Sequence, residues 1–130
     1  MDDAAGRLRE RSARFLKGMC VQIGESREGE VVILRPTGRI DNETSPAFQS
    51  RLLAALASAK NVLLDLEAVE YVSSAGLRAL MVASKQSKSA EGRIGVTSLQ
   101  PVVKEIFAIS RFAFVVPVFD KPADAIAAWK

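Results

Sequence analysis

The residues best placed to do chemistry lie in Tyr71-Val72-Ser73-Ser74-Ala75-Gly76-Leu77. Two hydroxyls open a segment of helical periodicity, and two small residues follow them. One available chemistry is structural. A serine at a helix start caps a free N–H, worth about 0.5–2 kcal/mol over alanine. The other is modification. A helix N-terminus presents free N–H groups and a partial positive charge. A phosphoserine there adds about −1.5 to −2 charges without straining the fold. Ala75 and Gly76 leave the hydroxyls uncovered, so a kinase could reach them. A second polar cluster comprises Asp41, Asn42, Glu43, Thr44 and Ser45, and a third Thr97, Ser98 and Gln100.

Other chemistries are excluded by what the chain lacks. Its 130 residues include no histidine and one cysteine, Cys20. No Ser-His-Asp or Cys-His nucleophile can be assembled, nor a His- or Cys-based zinc site within one chain. A disulfide within the chain is impossible, so nothing argues for secretion. No glycine string matches a dinucleotide or Walker A loop. A receiver domain needs an acidic pair after its first strand and an aspartate ending a later one. Asp65 reads as interior to its strand, and no acidic pair matches. Asp41 and Glu43 could serve a two-carboxylate hydrolase, but nothing in the sequence directs them to a cleft. The expectation is a protein that is not an enzyme and uses neither metal nor cofactor.

The elements that must position these residues follow from periodicity. Alternation over 19–24 reads as a strand, Glu25 to Gly29 as a turn, and Val31-Val32-Ile33-Leu34 as an antiparallel second strand. Pro36 cannot donate to a ladder, and Gly38 and Asp41 mark an exit loop. Ser45 can cap a helix with Pro46 at its first position, and Phe48, Leu52, Leu53, Leu56 and Ala59 recur on one face. Val62-Leu63-Leu64-Asp65-Leu66 suits a strand buried on both faces. A loop from Glu67 to Ser74 leads to a second helix with Leu77, Leu80, Met81 and Ser84 on one face. Ile94, Val96 and Thr97 form a strand. Pro101 opens a third helix with Val102, Val103, Ile106 and Phe107 inward. Phe114 to Phe119 reads as a last, edge strand, and a final helix runs from Pro122 to near Trp129. The order β-β-α-β-α-β-α-β-α implies an α/β domain. Its mixed sheet is antiparallel at the first strand and otherwise mainly parallel, with helices packed on it.

Apolar residues make up 48% and charged residues 25% of the chain, as in one soluble domain. The net charge is +3. Arg7, Arg9, Arg11, Arg14 and Lys17 against Asp2, Asp3 and Glu10 place two of those three charges in residues 1–18. The remainder, 19–130, is near neutral and lacks the basic, aromatic-interleaved stripe of a nucleic-acid binder. No apolar run approaches a membrane span, and the leader lacks a signal peptide's apolar region. The leader 1–18 is expected to be a flexible tail. Two other readings stay open: a start at Met19, and a basic docking helix.

Residues 19–129 resemble a STAS domain of the free-standing anti-sigma factor antagonist type. The resemblance rests on Thr37-Gly38-Arg39-Ile40-Asp41 with Thr44, and on Val62 to Leu66 followed by Tyr71 to Leu77. Its third part is Val102-Val103-Lys104-Glu105-Ile106-Phe107 with Ser110. It implies a STAS-type fold and a cytoplasmic partner-switching cycle. The unphosphorylated antagonist binds an anti-sigma factor that is a serine protein kinase, phosphorylation of a helix-opening serine releases it, and a serine phosphatase resets it. Nucleic acid and membrane are not partners in that cycle. By position Ser74 is the phosphoacceptor. The family often has aspartate immediately before that serine. Here the position is Ser73, which makes Ser73 a rival acceptor. Asp41, Thr44, Ser73, Ser74 and Gly76 are the expected partner-binding residues. The alternative is an unphosphorylated STAS scaffold subunit of a transporter or sensory assembly.

Overall fold

The computed structural model describes residues 22–129. The expected leader 1–18, Met19 to Val21 of the first expected strand, and Lys130 lie outside the described residues. Strand β1 (Gln22–Glu28) pairs antiparallel with β2 (Val31–Ile40), from Glu28 opposite Val31 to Gln22 opposite Thr37. The expected turn over 25–29 shrinks to Gly29 and Glu30. Gly29 takes φ +61, a conformation cheap only for glycine. The second strand runs ten residues rather than four. Its first part, Val31 to Leu34, pairs in parallel with β3 (Asn61–Asp65). Its last part, Gly38 to Ile40, pairs in parallel with β4 (Val69–Val72). Pro36 lies between these two partners, where the missing N–H costs no bond on that edge.

The main sheet has the order β1-β2-β3-β5-β6, with β5 (Arg93–Thr97) and β6 (Val118–Phe119) also parallel. The mixed sheet with one antiparallel strand is as expected. Alternate strand residues feed two layers. Val32, Leu34, Val62, Leu64 and Val96 face the larger core, shared with α1 (Ser45–Ser58), α2 (Ser74–Ser89) and α3 (Pro101–Ile109). Val31, Ile33 and Leu63 face α4 (Pro122–Ala128), with Phe119, Ile126 and Trp129 beside them. Leu63 and Leu64 are both fully buried, on opposite faces, as the apolar run of β3 required.

Four local expectations need correcting. The loop 67–74 contains β4, so the order is β-β-α-β-β-α-β-α-β-α. Phe114 to Phe119 is a strand only at Val118 and Phe119. Phe112–Phe114 is a 3-10 turn, Phe114 is exposed, and Val116 turns into the core. Met81 and Val102 point outward, because the buried stripe of α2 consists of Gly76, Ala79, Leu80, Ala83, Ser84 and Ser87, and that of α3 of Val103 and Phe107. Asp65 ends β3 rather than lying inside it.

Candidate functional site

Strand β4 is what assembles the site. Arg39 pairs with Tyr71 and Ile40 with Val72, so two parallel strands end side by side. Each then enters a loop that opens a helix. The Ser73 N–H donates to the Ile40 carbonyl at 2.8 Å, tying the second loop to the first. Thus the 41–45 and 73–76 clusters meet. The third polar loop does not join them. Thr97 is buried, and the Gln100 Nε2 donates to the Glu67 carbonyl at 2.6 Å.

The 41–45 turn is held by its own side chains. Asp41 Oδ1 accepts from the Glu43 N–H at 3.0 Å and the Thr44 N–H at 3.2 Å. Thr44 Oγ1 donates to the Arg39 carbonyl at 2.8 Å and accepts from the Asp41 N–H at 2.8 Å. The Ser45 N–H donates to the Asp41 carbonyl at 2.8 Å. Asp41 therefore takes up the free amides ahead of α1, and Ser45, expected as the cap, is instead buried as the first helical residue. The backbone N–H of Thr44 is the main reason the Asp41 carboxyl titrates below its ordinary range. Burial, the second-largest influence, acts against it, and the Glu43 N–H, the Thr44 hydroxyl and the Arg39 charge each add a smaller lowering.

The two serines separate. Ser73 has extended backbone (φ −84, ψ 176), and its Oγ accepts from the Gly76 N–H at 3.3 Å. Its carbonyl accepts the first helical bond from the Leu77 N–H at 2.9 Å. Ser73 is the N-cap. Ser74 is the first residue of α2, exposed, and its hydroxyl makes no hydrogen bond among the described residues. Together with Asp41, Asn42, Glu43 and Tyr71, the two serines line one shallow open depression. Two carboxylate side chains line it, and a cation beside it, Arg39, stands at the rim over Tyr71.

Two of the expected contact residues are not on the surface. Thr44 is buried and spends its hydroxyl on the turn. Gly76 is buried, and a Cβ there would stand 2.8 Å from Val72 Cγ1 and 2.9 Å from Ile40 Cγ2. Only glycine lets the first turn of α2 lie on the ends of β2 and β4. Both residues shape the site from beneath its surface. One pair went unnoticed in the sequence: the Arg39 guanidinium lies 4.5 Å from the centroid of the Tyr71 ring, a cation–π contact at the rim. Nothing local signals it, because it depends on the β2–β4 register.

The depression has no nucleophile with an adjacent base, and among the described residues no group of three or more metal-ligating side chains could hold an ion. No described helix is long and apolar enough to cross a membrane. What the geometry offers is a reachable hydroxyl on a rigid helix start. The family model of the STAS domain matches residues 25–125. The chain belongs to the STAS domain family. A Bordetella bronchiseptica relative, BtrV, named as an anti-sigma factor antagonist, is 39% identical over 71 residues, 55% of this chain and 61% of that protein. This STAS chain thus aligns with about three fifths of that relative's length. Among solved structures, an anti-sigma factor antagonist from Mycobacterium paratuberculosis superposes with a TM-score of 0.76 at 24% identity, covering 83% of this chain and 92% of that one. The Bacillus cell fate determinant SpoIIAA in its phosphorylated form gives 0.62 at 15% identity, covering 85% and 99%. These likenesses establish a common fold.

Proposed function

We propose that this STAS protein is an anti-sigma factor antagonist that works by partner switching. Unphosphorylated, it binds an anti-sigma factor that is also a serine protein kinase. Phosphorylation at Ser74 lowers that affinity, and a serine phosphatase restores it. The protein binds and is modified, and does no catalysis itself. The observation that carries this reading is the division of labour at α2: Ser73 holds the cap, and Ser74 keeps an exposed, unbonded hydroxyl. Modifying Ser74 leaves the cap intact, whereas modifying Ser73 would occupy the oxygen that caps the helix. The name of the Bordetella relative agrees with an antagonist role, and the phosphorylated form of SpoIIAA with a fold that accepts a phosphate.

The physical consequence is electrostatic. A phosphate at Ser74 brings about −1.5 to −2 charges to a depression that already carries Asp41 and Glu43. A partner surface shaped for a hydroxyl then meets a bulky dianion and loses affinity through desolvation and like-charge contact. Incubation with the cognate kinase and ATP, followed by phosphopeptide mapping, is the test. The expected phosphate lies on Ser74 and disappears in Ser74→Ala. Phosphate found only outside 73–74, or none, overturns the reading and favours the scaffold alternative.

A further inference from the structure

The opposite pole of the sheet holds a second feature that partner switching does not use. Strand β5 pairs along its whole length with β3, but with β6 only at Val96 and Thr97. Alternate residues of a strand aim their backbone groups at opposite neighbours. The Arg93 N–H reaches the Lys60 carbonyl of the preceding loop, and the Val96 N–H reaches the Pro117 carbonyl on the β6 side. Ile94, two residues before Val96, therefore also faces the β6 side. Its backbone N–H and carbonyl have no backbone partner there among the described residues. The cause is sequence. Pro117 has no N–H to give to the Ile94 carbonyl, and Val115 has left for the turn after the 3-10 segment.

The gap is a cavity of about 200 Å³ whose mostly apolar walls include Ile94, Val115, Pro117 and Trp129. The indole packs closely on Gly95, where a Cβ would come within 3.1 Å of it, and edge-on to Phe119 with centroids 5.8 Å apart. Lys88 and Arg93 stand at the rim, both exposed and neither in an ion pair among the described residues. Lys88 lies in the last turn of α2, where the helix favours a cation.

We propose that this cavity binds a small organic anion, a carboxylate on a short apolar body. The charged groups at the mouth are both cations, Lys88 and Arg93, and the Ile94 N–H is a free donor beside them. The acceptors present are the neutral Ile94 carbonyl and the Ser84 and Ser87 hydroxyls, and the Ser84 hydroxyl already donates to the Val115 carbonyl. A carboxylate only accepts, so it matches the two cations and the Ile94 N–H. The body would lie against Trp129, Val115 and Pro117. The volume is below that of a drug-sized pocket, about 300–1,000 Å³, which confines the ligand to a small molecule. One open residue of edge is too short for an added peptide strand.

Trp129 is the chain's single tryptophan. It also borders a second open depression with Arg27 and Lys60, so its fluorescence is read together with Ile94 and Lys88, which line this cavity and not that one. Titration of the purified protein with hexanoate is expected to give a saturable change, accompanied by a shift of the Ile94 amide resonance. Hexanamide, which keeps the body and drops the charge, should bind at least fivefold more weakly. Arg93→Gln and Lys88→Gln, both surface changes, should each weaken hexanoate at least fivefold, whereas Ser74→Ala should not. A response that never saturates, equal binding of hexanamide, or charge variants that bind like the parent would each overturn the proposal.

Discussion

Ser73 and Ser74 are neighbours with unlike surroundings, and the difference is measurable. Ser73→Ala removes the acceptor of the Gly76 N–H and should lower stability by about 0.5–2 kcal/mol, the usual worth of a cap. Ser74→Ala removes an exposed hydroxyl without a partner and should stay within about 0.5 kcal/mol. Urea midpoints of the two variants decide this, and a larger loss at Ser74 would mean that the cap sits one residue later. Asp41 makes a related prediction in pH. Its folded carboxyl titrates below the ordinary 3.8, so its charge stabilises the fold above that pH. The contribution disappears as pH falls through the lowered pKa. Asp41→Asn keeps an oxygen for the amides of Glu43 and Thr44 but loses the charge. The wild type should therefore exceed the variant in stability at pH 7, and the gap should narrow as pH falls below 3.8 and through the lowered pKa. A gap independent of pH would place the role of Asp41 in its shape rather than its charge.

At the scale of elements, the site depends on β2 changing partners from β3 to β4. The register shifts between Gly38 and Arg39, and Gly38 takes φ +99. The Gly38 N–H donates to the Ala68 carbonyl at 2.9 Å, which starts the pairing with β4. An alanine at this φ is strained, so Gly38→Ala should cost at least about 1 kcal/mol. Amide exchange should quicken at Tyr71, Val72 and Ser73 while remaining slow at Leu63. Equal acceleration in both strands would show that the bulge serves the whole sheet. This device also marks the limit of what the sequence reveals. β3 was legible because burial on both faces leaves a continuous apolar run. The helix starts at Pro46, Pro101 and Pro122 were legible because proline suits the first turn. β4 was not, since its four residues alternate Val69-Glu70-Tyr71-Val72 with no run, and they become a strand only beside Gly38 to Ile40. Phe114 to Phe119 misled in the other direction. Its β-branched residues have strand character, but Pro117 interrupts the ladder and Val116 is drawn into the core. In α2 the stripe of small buried residues carries little hydrophobic signal, so Met81 took a place on the inner face that Ala79 and Ala83 occupy. The serine pair was legible as a helix start. Which serine caps was not, because that choice turns on whether Ser73 is held extended by its bond to Ile40.

For the whole molecule, register places the two ends of the sheet far apart in function. Ile40 and Val72 run out into the serine site, whereas Val31, Asn61 and Arg93 align at the other pole. Between them lie strands buried on both faces, and a packed core shifts between discrete arrangements rather than deforming continuously. A charge added at Ser74 should therefore act at the surface where it is placed. Ser74→Glu puts a carboxylate at the first position of a 16-residue helix, where the free amides favour it by about 0.3–1 kcal/mol. Asp41 and Glu43 oppose it across the depression, so the net change in stability should stay within about 0.5 kcal/mol. Binding to the anti-sigma factor should respond more strongly. A tenfold loss of affinity corresponds to about 1.4 kcal/mol, and a desolvated charge facing a surface built for a hydroxyl readily costs that much. Calorimetry with the purified anti-sigma factor should show at least that tenfold loss. Amide resonances should shift over residues 41–45 and 71–78 and stay fixed over β5 and α4. Shifts that spread through the sheet, or a large fall in melting temperature, would mean that the charge acts by loosening the fold, and the switch would then be conformational rather than a change of surface.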